Sequence, residues 1–169
     1  MSDRQTAAKR PVSALLTGPY GHPFHPVLVT VPIGAWVASF VFDIGSRAAP
    51  DASYLVRSST WLIVIGIAGA LAAASVGLLD FFTLPAGTPA FRTGLVHLTL
   101  NVAITVAYAV NAWWRRGADD QVGIGPIVLS GVSLVALSIS GYLGGKLAFR
   151  YGVRVAEEQD QAEGFQPRS

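Results

Sequence analysis

Four long apolar stretches separated by short polar segments dominate the pattern of the chain. We predict membrane spans at residues 26–45, 61–82, 93–114 and 123–148. Each has about 20 residues or more, which as a helix is enough to cross a hydrocarbon core of about 30 Å. The short connections favour an up-down-up-down bundle. The pattern therefore predicts an all-α integral membrane protein with four transmembrane helices.

Polar segments flank the four spans. Residues 1–20 are polar and then turn-rich, and we interpret them as an N-terminal arm. Residues 21–156 form the predicted transmembrane domain. Residues 157–169 have few apolar positions and are predicted to be a disordered polar tail.

Composition supports the membrane interpretation and excludes several function classes. Charged residues make up only 13% of the chain, against roughly 25% in a soluble domain. A net charge of +2 is too small and too dispersed to indicate nucleic-acid binding. The absence of cysteine excludes disulfides, thiolate chemistry and an iron–sulfur cluster held by this chain. No phosphate-binding glycine loop, Gly-x-Ser-x-Gly elbow or His-Glu-x-x-His motif occurs, so an enzyme is not favoured.

The distribution of lysine and arginine predicts an orientation. With the N-terminus inside, eight basic residues lie on the side of the termini and four on the other. The rule that cytoplasmic loops carry the positive excess then places both termini in the cytoplasm, for a multi-pass protein of a bacterial plasma (inner) membrane. The eight are Arg4, Lys9, Arg10, Arg92, Lys146, Arg150, Arg154 and Arg168, and the four are Arg47, Arg57, Arg115 and Arg116.

Helical phase on the third span places its polar side chains on one face. Polar groups facing lipid would lack hydrogen-bond partners, so this stripe is expected to face the bundle interior or a water-filled cavity. The second and fourth spans carry rows of small residues, which favour close helix packing or leave room for a flat cofactor. The polar stripe of the third span is Thr93, His97, Asn101, Thr105, Tyr108 and Asn111. The row of small residues on the second span is Gly66, Gly69, Ala73 and Gly77, followed by Asp80. The row on the fourth span is Ala136, Ser140 and Gly144.

Ionisable and hydroxyl groups from all four spans are predicted to gather at one membrane interface. In alternating spans, the starts of the first and third share a membrane face with the ends of the second and fourth. Ionisable residues at membrane depth are costly to bury and are therefore functional candidates. The gathered groups are His22, His25, Asp80, His97, Tyr142 and Lys146.

Two histidines are the best-placed ligands. Pro26 suits a first helical turn and puts His25 near the N-cap, while Pro32 predicts a kink in the first span. First and third helices are diagonal in such a bundle, so His25 and His97 are candidates for the axial ligands of one haem b. Asp80 and Asn101 would orient an imidazole.

Other interpretations of the same residues stay open. His25, His97 and Asp80 would suit a divalent metal, and histidine also suits a proton relay. Structurally, His25 would cap backbone amides, His97 would hydrogen-bond Asp80, and Asp80 would pair with a nearby arginine or lysine. Asp43, near the opposite interface, would pair with Arg47 or Arg57. The tryptophans Trp61, Trp113 and Trp114 are interpreted as interfacial anchors.

Several motifs resemble a bacterial four-span membrane family of unknown function, domain of unknown function 2231. They are "HPFHPVLVTVPIG", "GLLDFF", "HLTLN" and "SGYLGGKLAFRYGVRV", within residues 20–156. The resemblance implies no assigned activity, but it implies that some relatives are joined to, or encoded near, Rieske-type iron–sulfur or other redox proteins. Its pattern singles out His22, His25, Asp80, His97, Asn101 and Tyr142 in this sequence.

We therefore expect a membrane module that binds haem b or a metal through histidines and serves a redox partner. A non-catalytic membrane scaffold or assembly protein with a structural polar cluster is the alternative, and a small proton-linked transporter is the third. The lipid bilayer is an expected partner, and so is a second copy of the chain.

Overall fold

The fold is built from four long apolar helices. The computed structural model describes residues 8–10, 21–118, 121–163 and 165. In this part of the chain there is no strand, and four helices are long and apolar enough to cross a membrane. The four spans are Phe24–Ser46, Ser53–Phe82, Pro89–Trp114 and Ile124–Arg150. The predicted all-α fold with four spans is confirmed.

The first span is interrupted close to its start. It consists of the helices Phe24–Leu28 and Thr30–Ser46, with a turn at Val29 between them. Pro32 has no backbone N–H, so the carbonyl of Leu28 lacks its usual helical donor. The break therefore lies within one turn of the proline, as the sequence predicts.

The second span begins well before the predicted position. Its helix starts at Ser53 rather than at residue 61, because hydropathy detects the apolar centre of a helix and not its polar first turns. The third span begins at Pro89, after Thr88, whose side chain accepts a hydrogen bond from the backbone N–H of Phe91 at 3.1 Å. Proline at the first position and a threonine cap explain this start.

The fourth span and the tail also differ in detail from the expectation. An α-helix, Ile124–Gly145, continues as the π-helical turn Lys146–Arg150. The segment expected to be disordered contains a short helix, Glu158–Glu163, whose first turn is closed by a hydrogen bond from the backbone N–H of Gln161 to the carbonyl of Glu157.

An aromatic pair forms the centre of the core. The first and third spans each pack against both the second and the fourth, and so lie on a diagonal. Across it, Trp36 stacks on Tyr108 with ring centroids 4.1 Å apart and an interplanar angle of 11°. The indole of Trp36 lies against Gly66 and donates a hydrogen bond to the carbonyl of Ile63 at 3.4 Å. With Thr93, Tyr108 and Asn111 of the third span buried, its polar stripe faces the interior as predicted.

Candidate functional site

Two histidines from diagonal spans meet at one end of the bundle. His25 lies in the first turn of the first span, and His97 lies in the third. Their ring centroids are 6.4 Å apart and the ring planes are nearly perpendicular, at 80°. The predicted approach of His25 and His97 is therefore found in the structure.

His25 is held by the second span. Its Nδ1 lies 2.9 Å from the backbone carbonyl oxygen of Ala73. The ring also lies close against Gly77, where a Cβ atom would be 2.7 Å from the imidazole Cε1. His25 makes no capping hydrogen bond to its own helix, which begins after Pro23. The imidazole thus connects two spans instead of capping one.

His97 is held by the fourth span and by Asn101. Its Nδ1 lies 2.9 Å from the carbonyl oxygen of Ser140 and 3.0 Å from the Ser140 hydroxyl. The amide of Asn101, one turn along, donates to that hydroxyl at 2.7 Å and lies 3.3 Å from His97 Nε2. A Cβ on Gly144 would be 3.2 Å from the ring. The predicted hydrogen bond from His97 to Asp80 is replaced by this contact with Ser140.

The backbone carbonyls assign the same tautomer to both rings. A carbonyl oxygen only accepts hydrogen bonds, so the Nδ1 atoms of His25 and His97 carry the proton and donate. In a neutral imidazole the other nitrogen then has a free lone pair. Both Nε2 atoms therefore carry a lone pair, and that of His97 faces the side-chain amide of Asn101 at 3.3 Å, a contact that a bound ion would have to displace.

Asp80 pairs with an arginine, as one interpretation of the sequence predicts. Its Oδ1 lies 3.0 Å from Nε of Arg154, which follows the fourth span. The backbone N–H of Arg154 donates to the carbonyl of Ala8 at 3.1 Å, and its guanidinium donates to the carbonyl of Lys9. Asp80 thus takes part in joining the second span to the segments that precede and follow the four spans.

Two further predicted site residues, Tyr142 and His22, lie on the bundle surface and ahead of the first helix, respectively. Tyr142 is 72% exposed on the outer surface of the fourth span. His22 lies two residues before the first helix and is partly buried. Among the described residues, no group of three or more His, Asp or Glu side chains is placed to hold a metal ion. His25, His97 and Asp80 are not gathered into such a group.

A second polar cluster lies at the opposite end of the bundle. Asp43 forms a bidentate ion pair with Arg115, at 2.9 and 2.8 Å, and not with Arg47 or Arg57 as predicted. Arg47 instead donates to the side chain of Gln121. Arg115 is the partner because its side chain reaches the buried carboxylate of Asp43 from the end of the third span, across the bundle.

Every span contributes to this second cluster. The guanidinium of Arg115 also donates to the side-chain oxygen of Asn111 at 2.7 Å and to the hydroxyl of Ser59 at 2.7 Å. Ser59 donates to Asp43. Asn111 in turn donates to the hydroxyl of Ser130 on the fourth span at 2.9 Å. The Asp43–Arg115 cluster, as we call these five residues, is fully buried and hydrogen-bonded.

Comparison with protein families identifies the chain as a membrane protein. The family model described as predicted membrane protein (DUF2231) matches residues 21–157. The chain belongs to this family. No curated protein and no solved structure shows significant similarity to it. In this DUF2231 protein the matched region includes all four spans, the histidine pair and the Asp43–Arg115 cluster.

Sequence reasoning missed the role of Arg115 in this DUF2231 protein. Arg115 precedes Arg116 directly after an apolar stretch, a pattern typical of a solvated helix end. One signal was present: Asn111 and Arg115 continue the polar stripe of the third span at a spacing of four residues. A helix face that is polar to its last turn indicates a buried partner for the arginine.

Proposed function

We propose that this protein binds one haem b between His25 and His97 and exchanges electrons with a redox partner. The observation that carries the proposal is the close pair of imidazoles, each with its Nδ1 bonded to a backbone carbonyl. Histidines that bind metals characteristically donate their other ring N–H in this way, which fixes the ring and directs the lone pair of Nε2.

The separation of the rings is compatible with two axial ligands. Two nitrogen atoms on opposite sides of one ion, each at about 2 Å, lie about 4 Å apart, which puts the ring centres about 6 Å apart. The centroids of His25 and His97 are separated by 6.4 Å. Packed aromatic rings also lie about 4.5–7 Å apart, so the distance permits two ligands and does not by itself distinguish them from packing.

The number of donors favours haem over a free divalent ion. Structural zinc sites use four protein ligands and catalytic sites use three, whereas a haem needs only axial ligands because the porphyrin supplies the others. The histidine pair supplies two donors, and no third ligand joins them in the described part of the chain. We therefore prefer haem b to the divalent metal that the sequence also allowed.

Glycines position each imidazole in advance. Gly77 and Gly144 lie against the rings of His25 and His97, where a Cβ would come within 2.7 and 3.2 Å of a ring carbon. The rings are therefore held in cradles that a larger residue would fill. Ligands that are already oriented lose little conformational entropy when a cofactor binds.

When bound, the haem would supply one-electron transfer near one membrane surface. His25 and His97 would bind it, and Asn101 would position His97 through the Ser140 hydroxyl, which lies against His97 Nδ1. One haem at one end of the bundle cannot carry electrons across the whole membrane, so a partner would dock at that end. From the family resemblance, a Rieske-type iron–sulfur protein is the class of partner we propose.

The test is an absorption spectrum of protein produced with added haem precursor and purified in mild detergent. The proposal expects a low-spin haem b spectrum that His25→Ala and His97→Ala each abolish. His22→Ala is the matched control and should retain the spectrum, because His22 lies outside the first helix. A colourless protein, still colourless after haem is supplied, would contradict the proposal.

A membrane scaffold is the second candidate, and the hydrogen bonds themselves favour it. His25 connects the first and second spans, and His97 connects the third and fourth, without any ligand. If the histidines served only to join the spans through these hydrogen bonds, the His97→Gln variant would be as stable as the wild type. The glutamine amide can also donate to the Ser140 carbonyl. Proton-linked transport stays a prediction from the sequence.

A further inference from the structure

A groove opens on the bundle surface near the Asp43–Arg115 cluster. It lies between the start of the second span and the end of the third and has a volume of about 620 Å³. Arg57 and Thr60 line one side, and Arg116 lies on the other. This end is remote from the histidine pair, and neither the family match nor the proposed function accounts for the groove.

The groove is basic. Arg57 and Arg116 are exposed, and the described residues that line the groove include no aspartate or glutamate. Arg115 also lines it, but its charge is compensated by the buried carboxylate of Asp43. Within the described lining, two guanidinium groups therefore remain to attract an anion. Guanidinium binds phosphate with two parallel hydrogen bonds, so it favours phosphate over a halide ion.

The wall of the groove changes from polar to apolar along the helix axis. Thr60 lies near the two arginines, whereas Val64, one turn further into the second span, and Ala112 on the third are apolar. Trp61, which is 65% exposed, lines the same groove. Tryptophan is enriched at the level of lipid headgroups. A phospholipid with its phosphate beside the arginines would thus have its acyl chains beside Val64.

We infer that this groove binds the headgroup of an anionic phospholipid from the surrounding bilayer. The charge selects an anion, the guanidinium geometry selects phosphate, and the apolar continuation of the wall selects a lipid over a soluble phosphate. Each guanidinium can donate two parallel hydrogen bonds to the phosphate of such a headgroup. The proposal is independent of haem binding.

The test is native mass spectrometry of protein exchanged into equal amounts of phosphatidylglycerol and phosphatidylcholine. The wild type should retain phosphatidylglycerol preferentially. Arg57→Gln and Arg116→Gln should each lower that preference by about fivefold, as expected for one basic residue near an anionic membrane surface. Arg92→Gln removes an equally exposed arginine outside the groove and should leave the preference unchanged.

Two further measurements distinguish lipid binding from a folding defect and from binding of a soluble phosphate. The lysine variants Arg57→Lys and Arg116→Lys keep the charge but lose the paired hydrogen bonds, so they should retain more of the preference than the glutamine variants and less than the wild type. Soluble glycerol phosphate at the concentration of the lipid should not displace phosphatidylglycerol. Equal retention of both lipids by the wild type, an unchanged preference in both glutamine variants, or displacement by glycerol phosphate would each overturn the proposal.

Discussion

Replacing Asp43 by Asn should be among the most destabilising single changes in this protein. The carboxylate accepts hydrogen bonds from both terminal nitrogens of Arg115, and the exposed fractions of the Arg115 and Asp43 side chains are 1% and 0%. The Asn variant leaves the guanidinium buried without its counter-charge and turns an amide N–H₂ towards it. Removing one partner of a buried ion pair costs about 3–5 kcal/mol.

Thermal unfolding in mild detergent measures this loss. Trp36 is a suitable reporter, because its ring is buried and stacked on Tyr108. For a chain of this size, each 1 kcal/mol corresponds to about 2–4 °C in Tm. Asp43→Asn should therefore lower Tm by roughly 6–20 °C.

Two controls isolate the buried charge as the cause. Asp51→Asn changes an exposed carboxylate that accepts from Ser53, and should change stability by about 0.5 kcal/mol or less. The double variant Asp43→Leu/Arg115→Met removes both charges and should recover much of the loss, since apolar pairs can replace buried ion pairs. An Asp43→Asn variant as stable as Asp51→Asn would refute the reasoning.

Three glycine substitutions make further predictions. Gly66→Ala puts a Cβ 2.5 Å from Cδ1 of the stacked Trp36 ring, so we expect about 1–3 kcal/mol of destabilisation in detergent unfolding. Gly77→Ala pushes against His25 at 2.7 Å, and should lower haem retention in the absorption assay more than it lowers Tm. Gly141→Ala meets nothing within 4 Å and lies inside a helix, so Tm should stay the same or rise, because alanine stabilises helices by about 0.5–1 kcal/mol relative to glycine.

The features that sequence predicts well are those that a single helix determines. The apolar stretches locate the four spans, and the four-residue spacing of His97 and Asn101 puts both on the inner face of the third. Length and phase depend only on the regular geometry of a helix. The same geometry explains why Pro32 locates the break at Val29.

The features that sequence predicts poorly are choices between partners on different helices. Four arginines lie on the same membrane face as Asp43, and hydropathy does not rank them as partners. The structure selects Arg115 because Asn111 and Ser59 bind the same guanidinium, so the cluster satisfies all its members together. Likewise, the partner of His97 is Ser140, whose carbonyl no sequence pattern distinguishes.

The two polar clusters lie at opposite ends of the bundle and satisfy their polar groups in different ways. In the Asp43–Arg115 cluster, opposite charges meet and the polar groups bind one another, so the cluster holds the spans together without a ligand. At the other end, His25 and His97 each bond a backbone carbonyl of a neighbouring span through Nδ1. The lone pair of each neutral ring is then on Nε2. The first cluster joins all four spans, whereas His25 and His97 each join only two, so the proposed haem site would depend on the first cluster for most of its support.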